Sequence, residues 1–327
     1  VNQLRVGIVG CGGIAVRHAA SVAALPQAMQ LTACCGRDFA KTRAFAAQHG
    51  GAAFNDLDAM IGAGIDIAIV TIPPFARAGE VERLAARGVN LLVEKPIALD
   101  QATTDAMVAA VEASAVTAAI GFMYRHGEAV KAWQAADTGR AGMMTGAFQC
   151  NALHAPWWRI EAQSGGQILE QLLHLIDLVR HFMGEPDTVY ARRARLFHAE
   201  PGYDVEDVSA MVFGWDDGRI ATLNANNIAV SGIWYKEWAL FAEKLTGRFA
   251  GWNDAEFSAS DGSAPNSVIA GEVSPFVAQL ADLASAIRDE RPPLVSMREG
   301  AATLRLALAA REAADERREI RLTDVRR

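Results

Sequence analysis

The chain has 327 residues, 51% of them hydrophobic and 21% charged, with a formal net charge of -7. That length suits two domains with ordinary globular cores. The acidic balance excludes a general nucleic-acid binder, which needs a basic face to displace counterions from phosphates. The four cysteines, Cys11, Cys34, Cys35 and Cys150, make no C-x-x-C pair, so neither a disulfide framework nor a zinc site is expected, and a reducing compartment fits. The first residues run straight into a strand pattern with no signal-peptide pattern before it. The apolar runs are too short and too interrupted by charge to span a bilayer. A cytoplasmic location with no membrane partner is the expectation.

In chain order, the first part alternates strands and helices. Residues 4–9 read as a strand, followed by glycines and a helix to about residue 25. Strand 31–35 and helix 39–49 come next, then strand 65–72 closed by Pro73 and Pro74, and a helix near 79–87. Strand 89–93, helix 101–113 and strand 116–121 complete a pattern that implies a parallel sheet covered on both faces. The pattern changes after Phe122. A helix at 128–136, a strand at 143–150 and a longer helix at 166–183 lead into extended stretches at 188–198, 205–215, 219–228, 233–241 and 245–249. Asp217-Gly218 marks a hairpin between two of them. Residues 251–271, rich in small and polar types, read as a mobile loop, and helices at 275–288 and 299–316 close the chain. The reading is an α/β fold, with an N-terminal doubly wound domain over residues 1–122 and a C-terminal α+β domain over 123–327 whose large sheet is mostly antiparallel.

Gly10-Cys11-Gly12-Gly13-Ile14-Ala15 joins the first strand to the first helix as G-x-G-x-x-A. Gly10 serves the tight turn, Gly12 lets the backbone approach a pyrophosphate, and Ala15 lets the helix pack close to the strand. The helix start then offers free N–H groups and a positive dipole end. In this strand–turn–helix context the pattern points to a dinucleotide. An acid that would bind the adenosine ribose is expected at the end of the second strand, but Gly36 stands there, followed by Arg37 and Asp38. Arg37 would attract a 2′-phosphate that a carboxylate repels, which favours NADP over NAD. The alternative is that Arg37 only stacks on adenine while Asp38 binds the ribose.

Glu94-Lys95-Pro96 ends a strand of the parallel sheet, and ligands in such sheets bind beyond the strands' carboxyl ends. An ammonium there can stabilise a developing alkoxide; without context, a strand-end lysine is a surface group. Pro96 suits a turn that a cis bond would allow. On the helix at 166–183, Gln167, Glu170, Gln171, His174, Asp177 and His181 fall in one stripe at helical spacing, with apolar residues elsewhere. Glu170 and His174 stand at i and i+4, where a carboxylate can fix an imidazole's tautomer and raise its basicity. Three readings stay open for the stripe: the lining of a cleft, a plain amphipathic surface helix, or a metal site short of further ligands.

Together these pieces resemble the glucose–fructose oxidoreductase / inositol dehydrogenase (Gfo/Idh/MocA) family. The matching segments are GCGGIA at 10–15, IPP at 72–74, EKP at 94–96, GFMYR at 121–125, SGGQILEQLLHLIDLVR at 164–180 and VEDVSAMVFGWDDG at 205–218. The resemblance implies a Rossmann domain joined to a domain whose open sheet serves as the interface of a homodimer or homotetramer. It also implies hydride transfer between NAD(P) and a sugar, polyol or related hydroxy or keto compound. Lys95 would be the catalytic lysine, His174 the general acid/base, and Glu170 would stand where many members have Asp. Cofactor contacts are implied at Gly13, Ile14, Ile72, Pro73, Pro74, Glu94, Lys95 and Pro96. Arg77 stands where members often have a histidine, and is read as an added phosphate ligand. Trp157, Trp158 and Arg159 resemble a substrate loop, the alternative being that the tryptophans anchor the loop to the core. Tyr124 and Arg125 are further substrate candidates, with His126 and His154 weaker ones. Trp234, Trp238 and Phe241 are expected on the open sheet face. Two other readings remain: a relative that uses bound NAD(P) for internal redox in hydrolysis, elimination or epimerisation, and a non-catalytic sensor.

Overall fold

The computed structural model describes residues 3–150, 155–228, 232 and 234–322. The chain forms two compact units, residues 1–126 with 275–301, and residues 127–274 with 302–327.

In the first unit, β1 (Leu4–Val9), α1 (Gly13–Ala23), β2 (Met29–Cys35), α2 (Phe39–His49), β3 (Ala52–Phe54), α3 (Leu57–Gly62), β4 (Ile67–Val70), α4 (Glu80–Ala86), β5 (Asn90–Val93), α5 (Gln101–Ser114) and β6 (Ala118–Ile120) follow one another. The sheet order is β3-β2-β1-β4-β5-β6, and every pairing is parallel. The central strand β4, Ile67–Val70, is buried at every position, as a sheet covered on both faces requires. Asp38, Asp56 and Asp100 accept the N–H of Lys41, Ala59 and Thr103 and so cap α2, α3 and α5. Strand order reverses between β1 and β4, and that switch point is where such sheets open a crevice for a ligand.

The second unit holds α6 (Glu128–Ala135), β7 (Ala141–Gln149), the short α7 (Glu161–Ser164), a π-helical turn at Ile168–Leu172 and α8 (Leu173–Met183). Then come β8 (Thr188–Ala194), β9 (Val208–Gly214), β10 (Ile220–Asn226), β11 (Tyr235–Ala242), β12 (Leu245–Ala250), β13 (Asp254–Ala259) and β14 (Ser267–Ala270). Helix α9 (Pro275–Arg288) belongs to the first unit, where Leu280, Leu283 and Ala284 join Val6, Ile8, Ala15 and Ile69 in one core. Helix α10 (Met297–Glu316) and the two-residue β15 (Ile320–Arg321) follow. The nine-stranded sheet runs β14-β13-β12-β11-β7-β10-β9-β8-β15, antiparallel except for the β7–β10 pair.

Three expectations change. Residues 251–271 are not simply a loop: β13 and β14 extend the sheet by two strands. The division at residue 122 does not carry to the chain's end, because 275–301 returns to the first unit. Trp238 is not on the open sheet face. With Lys236 and Leu240 it points to the covered side, where its ring stacks on Phe249 at 5.1 Å between centroids. The opposite face carries Phe241, Met143 and Ile220 in one cross-strand row and Val212 opposite Tyr190 in the next, each between 37% and 45% exposed.

Candidate active site

Within the first unit, Gly10 has φ +99°, and a Cβ there would lie 3.0 Å from the backbone nitrogen of Ile72. Only glycine fits this close approach of the turn after β1 to the segment after β4. At Gly12 and Gly13 an added Cβ would meet none of the described residues within 4 Å. Helix α1 begins there with no side-chain cap on its first turn, an arrangement that fits a dinucleotide pyrophosphate. Ala15 is fully buried against the sheet and Ile14 is partly buried. At the end of β2, a Cβ on Gly36 would come 2.5 Å from Thr42 Oγ1, which donates to the carbonyl of Asp38 at 2.9 Å. Any side chain at 36 must displace Thr42. The Asp38 carboxylate is used to cap α2, and Arg37 is exposed beside it.

Lys95 follows β5, and the Lys95-Pro96 peptide is cis. Glu94 is buried; its Oε2 accepts the N–H of Lys95 at 3.1 Å and its Oε1 lies 2.7 Å from Nε2 of the fully buried His18 on α1. Arg77, expected as a phosphate ligand, makes other contacts. Its Nε donates to the carbonyl of Ile72 at 3.1 Å, Nη1 to those of Pro96 at 2.8 Å and of Ile97, and Nη2 to that of Glu94 at 2.6 Å. Four of the five guanidinium N–H groups are thereby committed to backbone oxygens. Burial lowers the Arg77 pKa to about 10 against the opposing pull of the Glu94 and Glu80 charges. Ile72, Pro73 and Pro74 are partly buried and lead from β4 into the 3-10 turn at Pro74–Ala76.

Tyr124 and Arg125 end the first unit's opening segment and are both buried. Burial pushes the Tyr124 hydroxyl far up from its usual pKa. The Arg125 Nη1 donates to Glu299 Oε2 at 2.8 Å, so this candidate substrate group has an ion-pair partner on α10. His126 is buried, and His154 lies outside the described residues.

In the second unit, His174 stands in the first turn of α8 and is 7% exposed; Glu170 is partly buried inside the π turn. That turn closes i to i+5, so residues 170 and 174 do not have the register of a regular α-helix. The rest of the stripe bonds inside the unit. Gln167 accepts from Ser209 Oγ at 2.5 Å, Gln171 Nε2 donates to Asn227 Oδ1 at 2.7 Å, and Asp177 accepts from Thr303 Oγ1 at 3.1 Å. His181, at the far end, pairs with Gln134 at 2.8 Å. A plain surface helix is ruled out, since residues 171–180 are buried throughout. Single turns of π-helix recur at functional sites, where they re-aim one stretch of a helix.

The acid that holds this segment, Glu206, escaped sequence reasoning. Gly166 has φ +86°, and a Cβ there would sit 2.5 Å from the Glu206 carboxylate, whose Oε1 accepts the N–H of Ile168 at 3.1 Å. Burial raises the Glu206 pKa, with Arg193 3.4 Å away opposing. Two adjacent acids at 206–207 between apolar strand residues were the available signal. Trp157, Trp158 and Arg159 lie in the 3-10 turn Pro156–Arg159, the two indoles perpendicular at 5.7 Å. Trp158 packs on Tyr203 and Val205, which favours anchoring for that ring. Among the described residues no group of three His, Cys, Asp or Glu is placed to hold a metal, and no helix is long and apolar enough to cross a membrane.

A six-stranded parallel sheet with an open glycine turn at its switch point defines a dinucleotide-binding α/β protein. Residues 4–122 match the oxidoreductase family with an NAD-binding Rossmann fold, and residues 126–244 match the GFO/IDH/MocA C-terminal domain. The chain belongs to the Gfo/Idh/MocA family of oxidoreductases. It is 30% identical over 219 residues to inositol 2-dehydrogenase of Rhizobium meliloti, a match covering 64% of either chain. It is 28% identical over 181 residues to 2,7-anhydro-N-acetylneuraminate hydratase of Escherichia coli, covering 52% of this chain and 48% of that one. The matches thus span from about half to less than two thirds of these relatives. Levoglucosan dehydrogenase, solved with NADH and levoglucosan, superposes with a TM-score of 0.88 over 98% of this chain and 99% of its own at 17% identity, a likeness of fold.

Proposed function

We propose that the protein is an NAD(P)-dependent dehydrogenase that moves hydride between the nicotinamide and a hydroxyl- or carbonyl-bearing carbon of a sugar, polyol or related compound. The observation that carries this reading is the placement of Lys95, in a turn tied down by Glu94, His18 and Arg77, beyond the carboxyl end of β5 in the sheet whose open glycine turn suits a dinucleotide. Gly10, Gly12, Gly13 and the first turn of α1 would hold the pyrophosphate, and Ile72, Pro73, Pro74, Glu94 and Pro96 would flank the cofactor. When bound, the cofactor supplies the hydride acceptor or donor. His174 takes the proton of the substrate hydroxyl, Lys95 stabilises the negative oxygen, and Glu170 orients the imidazole as it becomes charged. Trp157, Arg159 and Tyr124 would meet the substrate.

NADP is proposed over NAD, because exposed Arg37 follows a position where Thr42 leaves no room for a carboxylate. A cytoplasmic homodimer or homotetramer joined through the open sheet face is part of the same reading. The test is a fluorescence titration with NADPH and NADH on the parent and on Arg37→Ala, followed by turnover of sugars and polyols by the parent and Lys95→Met. Tighter NADPH binding that collapses in Arg37→Ala, with turnover lost in Lys95→Met, supports the reading; binding of neither nucleotide overturns it. The Escherichia coli relative is named a hydratase, a reaction without net redox. Product analysis beside nicotinamide absorbance therefore separates net dehydrogenation from internal redox.

A further inference from the structure

Arg77 is committed to one short stretch of backbone. Three of its four acceptors are the carbonyls of Glu94, Pro96 and Ile97, on both sides of Lys95, and the fourth is that of Ile72, just past β4. The guanidinium thus ties the end of β4 to the turn after β5. From the other side, the Glu94 carboxylate takes the N–H of Lys95 and is itself held by His18. The backbone from 94 to 97 is bound at one N–H and three carbonyls. Burying a cation is costly, and here the carbonyl dipoles and the charges of Glu94 and Glu80 offset that cost. Lysine cannot replace this fork: an ammonium has three donors on a single nitrogen and cannot spread over four separated oxygens.

We propose that Arg77 is a positioning residue for Lys95, fixing the turn from which the lysine reaches the reacting oxygen, and not a ligand of the cofactor phosphates. The inference rests on the reading of Lys95 as the catalytic lysine. A displacement of about 1 Å in a reacting group costs up to about a hundredfold in rate, so loosening this brace acts on kcat. Cofactor affinity rests chiefly on the glycine turn, which Arg77 does not touch, so it should change much less than kcat.

The full chain is prepared as Arg77→Lys, Arg77→Ala and Lys95→Met. For each, kcat on the best sugar or polyol substrate, its pH profile, and Kd for NADPH and NADH by fluorescence are measured. In both Arg77 variants kcat is expected to fall about tenfold or more, with the alkaline limb of the profile displaced and both Kd values within about twofold of the parent. Added guanidinium ion restores part of the rate of Arg77→Ala and none of that of Lys95→Met. Should Arg77→Ala fail to fold, Arg77→Lys, which keeps the charge, decides alone. An unchanged kcat with weakened nucleotide binding, above all of NADPH, makes Arg77 a phosphate ligand and overturns the inference. A dead Lys95→Met beside a fully active Arg77→Lys overturns this inference only, whereas an active Lys95→Met removes the reading of Lys95 and this inference with it.

Discussion

Nε2 of His18 lies 2.7 Å from Oε1 of Glu94, and both side chains are shut away from solvent inside the first unit. The pair joins α1, the helix that starts at the glycine turn, to the residue before Lys95. Gly121 makes room for it, since a Cβ there would fall 3.0 Å from the Glu94 carboxyl carbon.

Removing the carboxylate strands the histidine. Among the described residues His18 Nδ1 has no hydrogen-bond partner, so in Glu94→Ala neither ring nitrogen would have one there. That variant is expected to lose about 1–3 kcal/mol by urea denaturation, and Glu94→Gln, which keeps an acceptor, less. Equal losses in the two would show that the hydrogen bond contributes nothing.

In the proposed cofactor site, Gly36 and Thr42 would together set the ribose end. Gly36→Asp alone should destabilise the first unit by about 1–3 kcal/mol through overpacking, because its Cβ would meet Thr42 Oγ1 at 2.5 Å. Adding Thr42→Ala removes that oxygen and should restore much of the stability. The double variant should favour NADH, as a carboxylate there repels the 2′-phosphate. An NADPH to NADH affinity ratio unchanged from the parent would discard the role assigned to position 36.

Asp207 should make part of the stability depend on pH. Its fully buried carboxylate accepts N–H groups from Leu196 at 3.0 Å, Phe197 at 2.7 Å and His198 at 3.0 Å. Burial pushes its pKa up, but these bonds outweigh it and hold the group below its ordinary value. A folded pKa below the unfolded one means stabilisation that is present above about pH 4 and lost as pH falls through the folded value. Asp207→Asn is expected to cost about 1–3 kcal/mol at neutral pH. Urea titrations at falling pH should show the gap to the parent closing, and a constant gap would sink the assignment.

The exposed row of Phe241, Met143 and Ile220 with neighbouring Val212 and Tyr190 is an apolar surface that a second copy would cover. Sedimentation velocity should find an oligomer for the parent and dissociation for Val212→Glu and Phe241→Glu. A monomeric parent would remove the sheet from consideration as an interface.

How much of this was legible depended on the range of the interactions involved. Helices 39–49 and 275–288 have the ends their local pattern implies, because such signals act within one or two turns. Strand β14 was not legible: none of its four residues is buried, and it is a strand only because Asp254–Phe257 pair with it. Trp238 alternates with its neighbours as a strand residue should, yet alternation does not tell which face a helix will cover. The i, i+4 reasoning for Glu170 and His174 assumed a regular helix, and the π turn is stabilised from outside by Glu206.

The sequence by itself determined the glycine turn, the lysine beyond a parallel strand and the histidine-bearing helix, since each is written in spacing along one element and its flanking turn. Only the tertiary structure decided that residues 275–301 complete the first unit, that Trp238 faces inward and that Arg77 braces the turn around Lys95. Those outcomes depend on groups far apart in the chain meeting across a core. Local pattern names the donors and acceptors, but only the packed fold brings a given donor to a given acceptor.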